Sequence, residues 1–257
     1  MKVDLRKTLF ILPNLFTLSS VLCGYYAIVI CADQPSGADF YRAALLIIFA
    51  LFFDTVDGRV ARLTKTQSAI GVQLDSLADI VSFGVAPSIL VYQWSLRELG
   101  TAGIIVGFVF VGCGAIRLAR FNVTSTSDEG QPVQPGKYIQ GLPIPAAAAV
   151  LISLVVANTL TGKLPFTPLI LSVLTLLLAL FMVSSIPFRS FKDLRLSWRS
   201  ALFIAVALGS TAVIAVRYHP SLAFVWLLSA YVVIGILEGL FTWMLKSRSG
   251  ADEAERV

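Results

Sequence analysis

The sequence predicts an all-α, polytopic integral membrane protein of about eight transmembrane helices with both termini in the cytoplasm, and three observations predict it. Of the 257 residues, 57% are hydrophobic and 14% charged, and the mean hydropathy is +0.83, far outside the soluble range. Apolar runs of the length needed to span a bilayer, about 20 residues, lie at 10–31, 40–60, 73–94, 102–121, 143–161, 166–187, 200–217 and 222–245. Finally, the basic residues divide 16 to 4 between alternate connections, which puts the richer face in the cytoplasm.

Each span has its own boundary signals. The first follows Lys2, Arg6 and Lys7 and has Pro13 near its start, where a missing N–H is harmless; no small-residue cleavage site follows it, so it is expected to be a retained helix. The second runs from beside Arg42 to Arg59, Arg62 and Lys65. Pro87 interrupts the third, two turns after Asp79, and is expected to kink it. The fourth starts after Arg97 and ends on Arg117 and Arg120, before a polar loop from Thr124 to Gly136 and then Lys137. The fifth opens on Pro143 and Pro145. The sixth starts after Lys163 and is followed by Arg189, Lys192, Arg195 and Arg199. Arg217 and His219, a turn residue beside Pro220, separate the last two spans, and Lys246, Arg248 and Arg256 close the chain in a short solvated tail.

No internal repeat or low-complexity block divides the chain, so residues 1–257 read as a single domain. The net charge of +5 is accounted for by topology and suits anionic lipid headgroups; it requires no nucleic acid. Cys23, Cys31 and Cys113 fall in or at the ends of spans. Cys23 and Cys31, eight residues apart on one helix, are too distant to bridge, and all three read as packing residues.

The chemistry lies in four aspartates, Asp54, Asp57, Asp75 and Asp79, within 26 residues of one another on the second and third spans. Each carboxylate near the bilayer centre costs about 2.5–3.5 kcal/mol, so something must offset them. Asp54 and Asp57 are three apart and Asp75 and Asp79 four apart, so each pair shares a helix face. One pair ends a helix and the other begins the next, antiparallel one, which brings all four to the same depth just inside the cytoplasmic boundary. An all-oxygen set without His or Cys selects hard cations such as Mg²⁺, Mn²⁺ or Ca²⁺ over zinc, and four negative charges suit two divalent ions with open positions for phosphate oxygens. Gly58 and Ala61 remove bulk beside Asp57, and Arg62 presents a planar fork to a phosphate. Ser68 and Gly71, in the connection between the helices, offer a hydroxyl and an unhindered N–H. Such a site suits a diphosphate. Two other readings are a structural, salt-bridged acid cluster and a carboxylate-lined cation transporter.

The pattern Asp57-Gly58-x2-Ala61-Arg62-x8-Gly71-x3-Asp75-x3-Asp79 resembles the defining motif of the CDP-alcohol phosphatidyltransferase family at every position, with Asp54 preceding it. The resemblance implies that the first three aspartates hold metal ions that bind the diphosphate of a CDP-activated lipid. It implies that Asp79 is a metal ligand and the general base, and that Gly58, Arg62 and Ser68 meet the nucleotide end. Asn14 and Thr17 resemble the family's Asn-x-x-Thr element near the nucleotide, and read equally well as cap and turn residues at a helix start. Flanking stretches are similar to the serine-using branch: Leu74 to Pro87, Arg117 to Asn122, Gly141 to Pro145 and Phe188 to Lys192. The resembling core covers 9–190, with two additional helices at 200–245 that match no motif.

From these residues the expected activity is metal-dependent transfer of the phosphatidyl group from CDP-diacylglycerol to the hydroxyl of L-serine, releasing CMP. The divalent cation is Mg²⁺ or Mn²⁺, as two ions, and the site faces the cytoplasm from the inner or plasma membrane. Arg117, Arg120 and Lys137 are candidates to bind the serine carboxylate, and they read equally as positive-inside anchors; phosphorylated acceptors would want the same cations. Glycerol 3-phosphate or an inositol compound is therefore the alternative acceptor. Relatives in the family are commonly dimers, which implies a homodimer.

Overall fold

A computed structural model describes residues 5–33, 35–64, 66, 68–125, 138–162, 167–185 and 187–189, with short helical pieces at 209–211, 216–217, 222–223 and 226–227. In chain order come α1 (Leu5–Ala32), α2 (Gly37–Thr64), α3 (Ala69–Asp79), a π-turn (Ile80–Val85), α4 (Ala86–Trp94), a 3₁₀ turn (Leu96–Leu99), α5 (Thr101–Ser125), β1 (Tyr138–Gln140), α6 (Ile144–Thr161), α7 (Pro168–Val183) and β2 (Pro187–Arg189). The first six expected spans therefore correspond to described helices, whereas the seventh and eighth fall almost wholly outside the described residues. Four stretches among the described residues are long and apolar enough to cross a membrane: Leu12–Ala32, Ala69–Trp94, Thr101–Thr124 and Ile144–Thr161. α2 has the length, 28 residues, but carries the charged cluster, and α7 is a shorter apolar helix.

Small residues among larger ones such as Phe83 and Phe110 on the buried faces let the helices approach closely. Ala27, Ala43, Ala44, Ala50, Ala147, Ala148 and Ala157 are all essentially inaccessible. In a bilayer, tails compete equally for apolar side chains, so close van der Waals fit of small residues supplies the association. Leu18, Leu22, Phe49, Phe52 and Phe108 lie on the outer surface, as membrane-facing side chains should. The cysteines are free, and Cys31 is fully buried, in keeping with a packing role.

One expectation is corrected and two are filled in. Pro13 does not sit near a helix start: α1 begins at Leu5, so its polar first turns precede the apolar run that hydropathy locates, and Pro13 lies inside the helix. The third span carries a backbone irregularity at Pro87. Ahead of it the backbone widens into the π-turn Ile80–Val85, in which the Ala86 N–H donates to the Val81 carbonyl five residues back, and Pro87 falls in the first turn of α4. The wide turn absorbs the proline within one continuous span. The all-α expectation also needs one addition: β1 and β2 pair antiparallel, with Ile139 opposite Phe188.

That ladder belongs to a clasp joining α5, α6 and α7 at one end of the bundle. Arg120 on α5 donates to the Val183 and Ser184 carbonyls at 3.0 and 3.2 Å, and the Leu142 N–H donates to Phe181 at 3.0 Å. These contacts satisfy carbonyls that the end of α7 would otherwise leave unpaired. Gly141 adopts φ +77° against the Met182 carbonyl, where any Cβ would collide with backbone. Pro143 and Pro145 do open α6, as read from the sequence.

Candidate active site

The site forms where α2 ends and α3 begins. Ser68 caps α3, its hydroxyl accepting from the Gly71 N–H at 3.0 Å. Before it, the Thr66 N–H donates to Ala61 at 3.1 Å and the Thr64 and Thr66 hydroxyls lie 2.7 Å apart, which closes the turn tightly. The reversal brings Asp75 back against Asp54 and Asp57.

One carboxylate oxygen from each of Asp54, Asp57 and Asp75 lies within 4.8 Å of the other two. At such separations each pair of charges repels by roughly 3–4 kcal/mol at the effective dielectric of a protein site. Asp57 is only 5% exposed and Asp79 8%, so water cannot fully relieve this. Asp79 is one step behind the triad: its carboxyl group lies close to that of Asp54, and Asp79 Oδ1 is buried with no hydrogen-bond partner. Three converging oxygen donors and an orphaned buried carboxylate oxygen fit hard, oxygen-seeking cations. The four aspartates thus converge as three plus one, with Asp79 set behind the triad beside Asp54.

α1 lies along this cluster. Thr17, fully within the helix and 4% exposed, donates its hydroxyl to Asp57 Oδ2 at 2.7 Å. Asn14, one turn earlier, faces the start of α3, its Oδ1 3.8 Å from where a Gly71 Cβ would be. Neither is a cap or turn residue at the start of α1. Polar residues three apart on an otherwise apolar helix are the signal that this face meets a polar site.

Gly58 and Ala61 line the α2 surface beyond Asp57, and the Arg62 guanidinium folds back over Gly58, where a Cβ would stand 3.5 Å from Nη1. An exposed cation therefore covers the glycine surface beside Asp57. Gly71 differs from expectation. It sits in the first turn of α3, not in the connection, and its N–H is already taken by Ser68. Its missing Cβ matters instead, since one there would stand 3.1 Å from Ser68 Oγ.

The three expected acceptor cations separate. Arg117 on α5 is 7% exposed, lies over the Phe121 ring at 5.6 Å, and is close enough to interact with the charge of Asp79. Arg120 points to the clasp and caps α7. Lys137 lies outside the described residues. The sequence reading did not foresee Asn122 as a junction: its amide donates to Ser76 Oγ at 2.9 Å and Gln73 Oε1 at 3.2 Å, tying α5 to α3 beside Asp75. A polar residue one turn past Arg117 was the available signal.

Comparison with known proteins completes this picture. A profile of the CDP-alcohol phosphatidyltransferase family matches residues 10–246. The chain is 39% identical over 238 residues to a CDP-diacylglycerol–serine O-phosphatidyltransferase of Helicobacter pylori, covering 91% of this chain and 92% of that protein. It is 36% identical over 188 residues to an archaetidylserine synthase of Methanothermobacter thermautotrophicus, 72% of each chain. A CDP-diacylglycerol–serine O-phosphatidyltransferase of Bacillus subtilis is 33% identical over 181 residues, 70% of this chain and 91% of that protein.

Proposed function

The chain belongs to the CDP-alcohol phosphatidyltransferase family, and from that premise we propose that it makes a serine phospholipid, transferring the phosphatidyl group of CDP-diacylglycerol to the hydroxyl of L-serine and releasing CMP. The observation that carries this reading is the triad of Asp54, Asp57 and Asp75 oxygens within 4.8 Å at the mouth of two helices, in a chain whose relatives are named for that serine reaction. The named reaction of those relatives supports serine over glycerol 3-phosphate or inositol.

Asp54, Asp57 and Asp75 would hold divalent cation, Mg²⁺ or Mn²⁺ and two ions by charge count, with Asp79 completing the set. When bound, such ions neutralise and orient a diphosphate. The chain's own groups do the rest. Gly58 and Ala61 leave room beside Asp57 for the nucleotide end, with Asn14 and Ser68 around it. Asp79 takes the proton of the serine hydroxyl as that oxygen attacks the phosphatidyl phosphorus, the bond to the CMP oxygen breaks, and Arg62 stabilises the phosphate charge of departing CMP. Arg117 meets the serine carboxylate with a charge-assisted pair. Lys137, outside the described residues, is the further candidate for that carboxylate.

The topology follows the same reading. Arg59, Arg62, Arg117 and Arg120 occupy the end of the bundle that holds the site, and Arg42 and Arg97 the other, which supports a cytoplasmic site and cytoplasmic termini. We read eight spans in one domain over 1–257, with a core at 9–190 and two further helices at 200–245; a family match running to residue 246 supports one domain. Family resemblance favours a homodimer.

Parallel assays of CMP release from CDP-diacylglycerol with serine, glycerol 3-phosphate and inositol test the assignment. Serine-dependent CMP is expected. Release only with another alcohol would move the acceptor, and none with any acceptor would overturn the transferase and favour a cation path.

A further inference from the structure

We propose that Thr17 is a positioning residue for the metal site, fixing the Asp57 carboxylate from the neighbouring helix. The inference rests on the reading of Asp57 as a metal ligand. It differs from the role that motif resemblance gives Thr17, contact with the nucleotide.

The geometry is specific. Thr17 Oγ1 lies 2.7 Å from Asp57 Oδ2, joining residues 40 apart in the chain across the interface of α1 and α2. The hydroxyl has a second acceptor within reach, the Pro13 carbonyl at 3.1 Å, one turn back in α1. A hydroxyl has one proton, and the shorter bond to a charged acceptor is the stronger, so the proton goes to Asp57. With Thr17 4% exposed and Asp57 5% exposed, no solvent replaces that bond if it is lost.

An Asp side chain in a helix can otherwise turn about two bonds. Donation to Oδ2 restrains both torsions while the carboxylate keeps lone pairs for a cation. Hydrogen bonds of this kind behind a ligand orient it, and their removal typically costs about 10–100-fold in metal affinity. Thr17 also suits the task because a β-branched side chain in a helix has few rotamers, so the hydroxyl is itself held in place.

Thr17→Val keeps the shape and removes the donor, and Thr17→Ser keeps the donor. Mn²⁺ binding to purified, detergent-solubilised full-length protein, read from loss of the free-ion EPR signal, should weaken by about 10–100-fold in the valine variant and stay within about threefold of wild type in the serine variant. CDP-diacylglycerol KM at saturating Mn²⁺ should change little. Ser19→Ala, which removes only an exposed hydroxyl bonded to the Leu15 carbonyl, is the control on the same helix and should bind Mn²⁺ as wild type does. If the valine variant does not survive purification, Thr17→Ala carries the same expectation of loss.

Unchanged Mn²⁺ affinity in a folded variant lacking the hydroxyl overturns the proposal. So does a raised lipid KM with metal affinity intact, which would return Thr17 to the nucleotide. Because Mn²⁺ binding is read without turnover, a protein inactive with every acceptor would still answer the question. Wild-type protein that bound no Mn²⁺ would defeat the metal site itself, and this inference with it.

Discussion

Gly24 on α1 lies directly against Ser82 in the π-turn: a Cβ at position 24 would come within 2.8 Å of the Ser82 Cα, which is backbone and cannot swing away. The Ser82 hydroxyl donates to the Ser20 carbonyl at 3.0 Å beside the same contact. The π-turn begins one residue after Asp79, so the fit of α1 on this turn also sets the position of that carboxylate. Gly24→Ala should destabilise the protein by about 1–3 kcal/mol through overpacking and lower turnover with it. Gly112→Ala, at a helical glycine where an added Cβ meets nothing within 4 Å, should be neutral or slightly stabilising. Thermal unfolding of the two variants in detergent compares them directly, and equal effects would refute the close-packing account.

Arg120 and Arg117, three apart on α5, should separate by phenotype. Arg120→Ala leaves the Val183 and Ser184 carbonyls without their donors, at a cost of about 1–3 kcal/mol in stability, while serine KM should move less than about threefold. Arg117→Ala should raise serine KM by about 10–100-fold, the worth of a lost charge-assisted hydrogen bond. Serine titrations of both variants, together with melting curves, check the division. A large serine KM effect at Arg120 would restore it to the acceptor site.

Ser68 has a visible structural role and an expected functional one, and a single substitution separates them. Ser68→Ala should cost about 0.5–2 kcal/mol through loss of the cap on α3, and Ser68→Asn should recover most of it because asparagine caps equally well. If the hydroxyl also meets phosphate, the asparagine variant will regain stability without regaining its affinity for CDP-diacylglycerol. Recovery of both would assign Ser68 to capping alone.

The balance between what could and could not be read from the sequence has physical causes. The helices of the first six expected spans and the aspartate face were legible because hydropathy and helical spacing are local properties. Asp54 and Asp57 had to share a face, and a short connection had to return Asp75 to them. Three features were not legible. The π-turn ahead of Pro87 is a backbone rearrangement that a proline permits but does not specify. The Arg120 cap on α7 joins residues more than 60 apart, and a basic residue at a helix end reads as a membrane anchor until its partner is known. The bond from Thr17 to Asp57 depends on how α1 is rotated against α2, which a few polar residues along a mostly apolar helix only hint at.

Asp75 and Asp79 should fail in different ways. Asp75 is in the triad, so Asp75→Asn removes a charge from the set that would hold the cation, and metal requirement and activity should worsen together. Asp79 lies behind Asp54 with one oxygen unpartnered, so Asp79→Asn should abolish turnover, by about 10²–10⁴-fold for a lost general base, while CMP and CDP-lipid binding in part persist. Chelation with EDTA should silence the wild-type enzyme. Mg²⁺ or Mn²⁺ should restore it and Zn²⁺ should not, because the donor set is all oxygen. CMP release across a Mn²⁺ titration, paired with CMP binding at each metal concentration, distinguishes the two variants. If Asp79→Asn responded to added metal as Asp75→Asn does, Asp79 would be a ligand without a separate role as base. If either variant kept near wild-type turnover, the proposed role of that residue would be wrong.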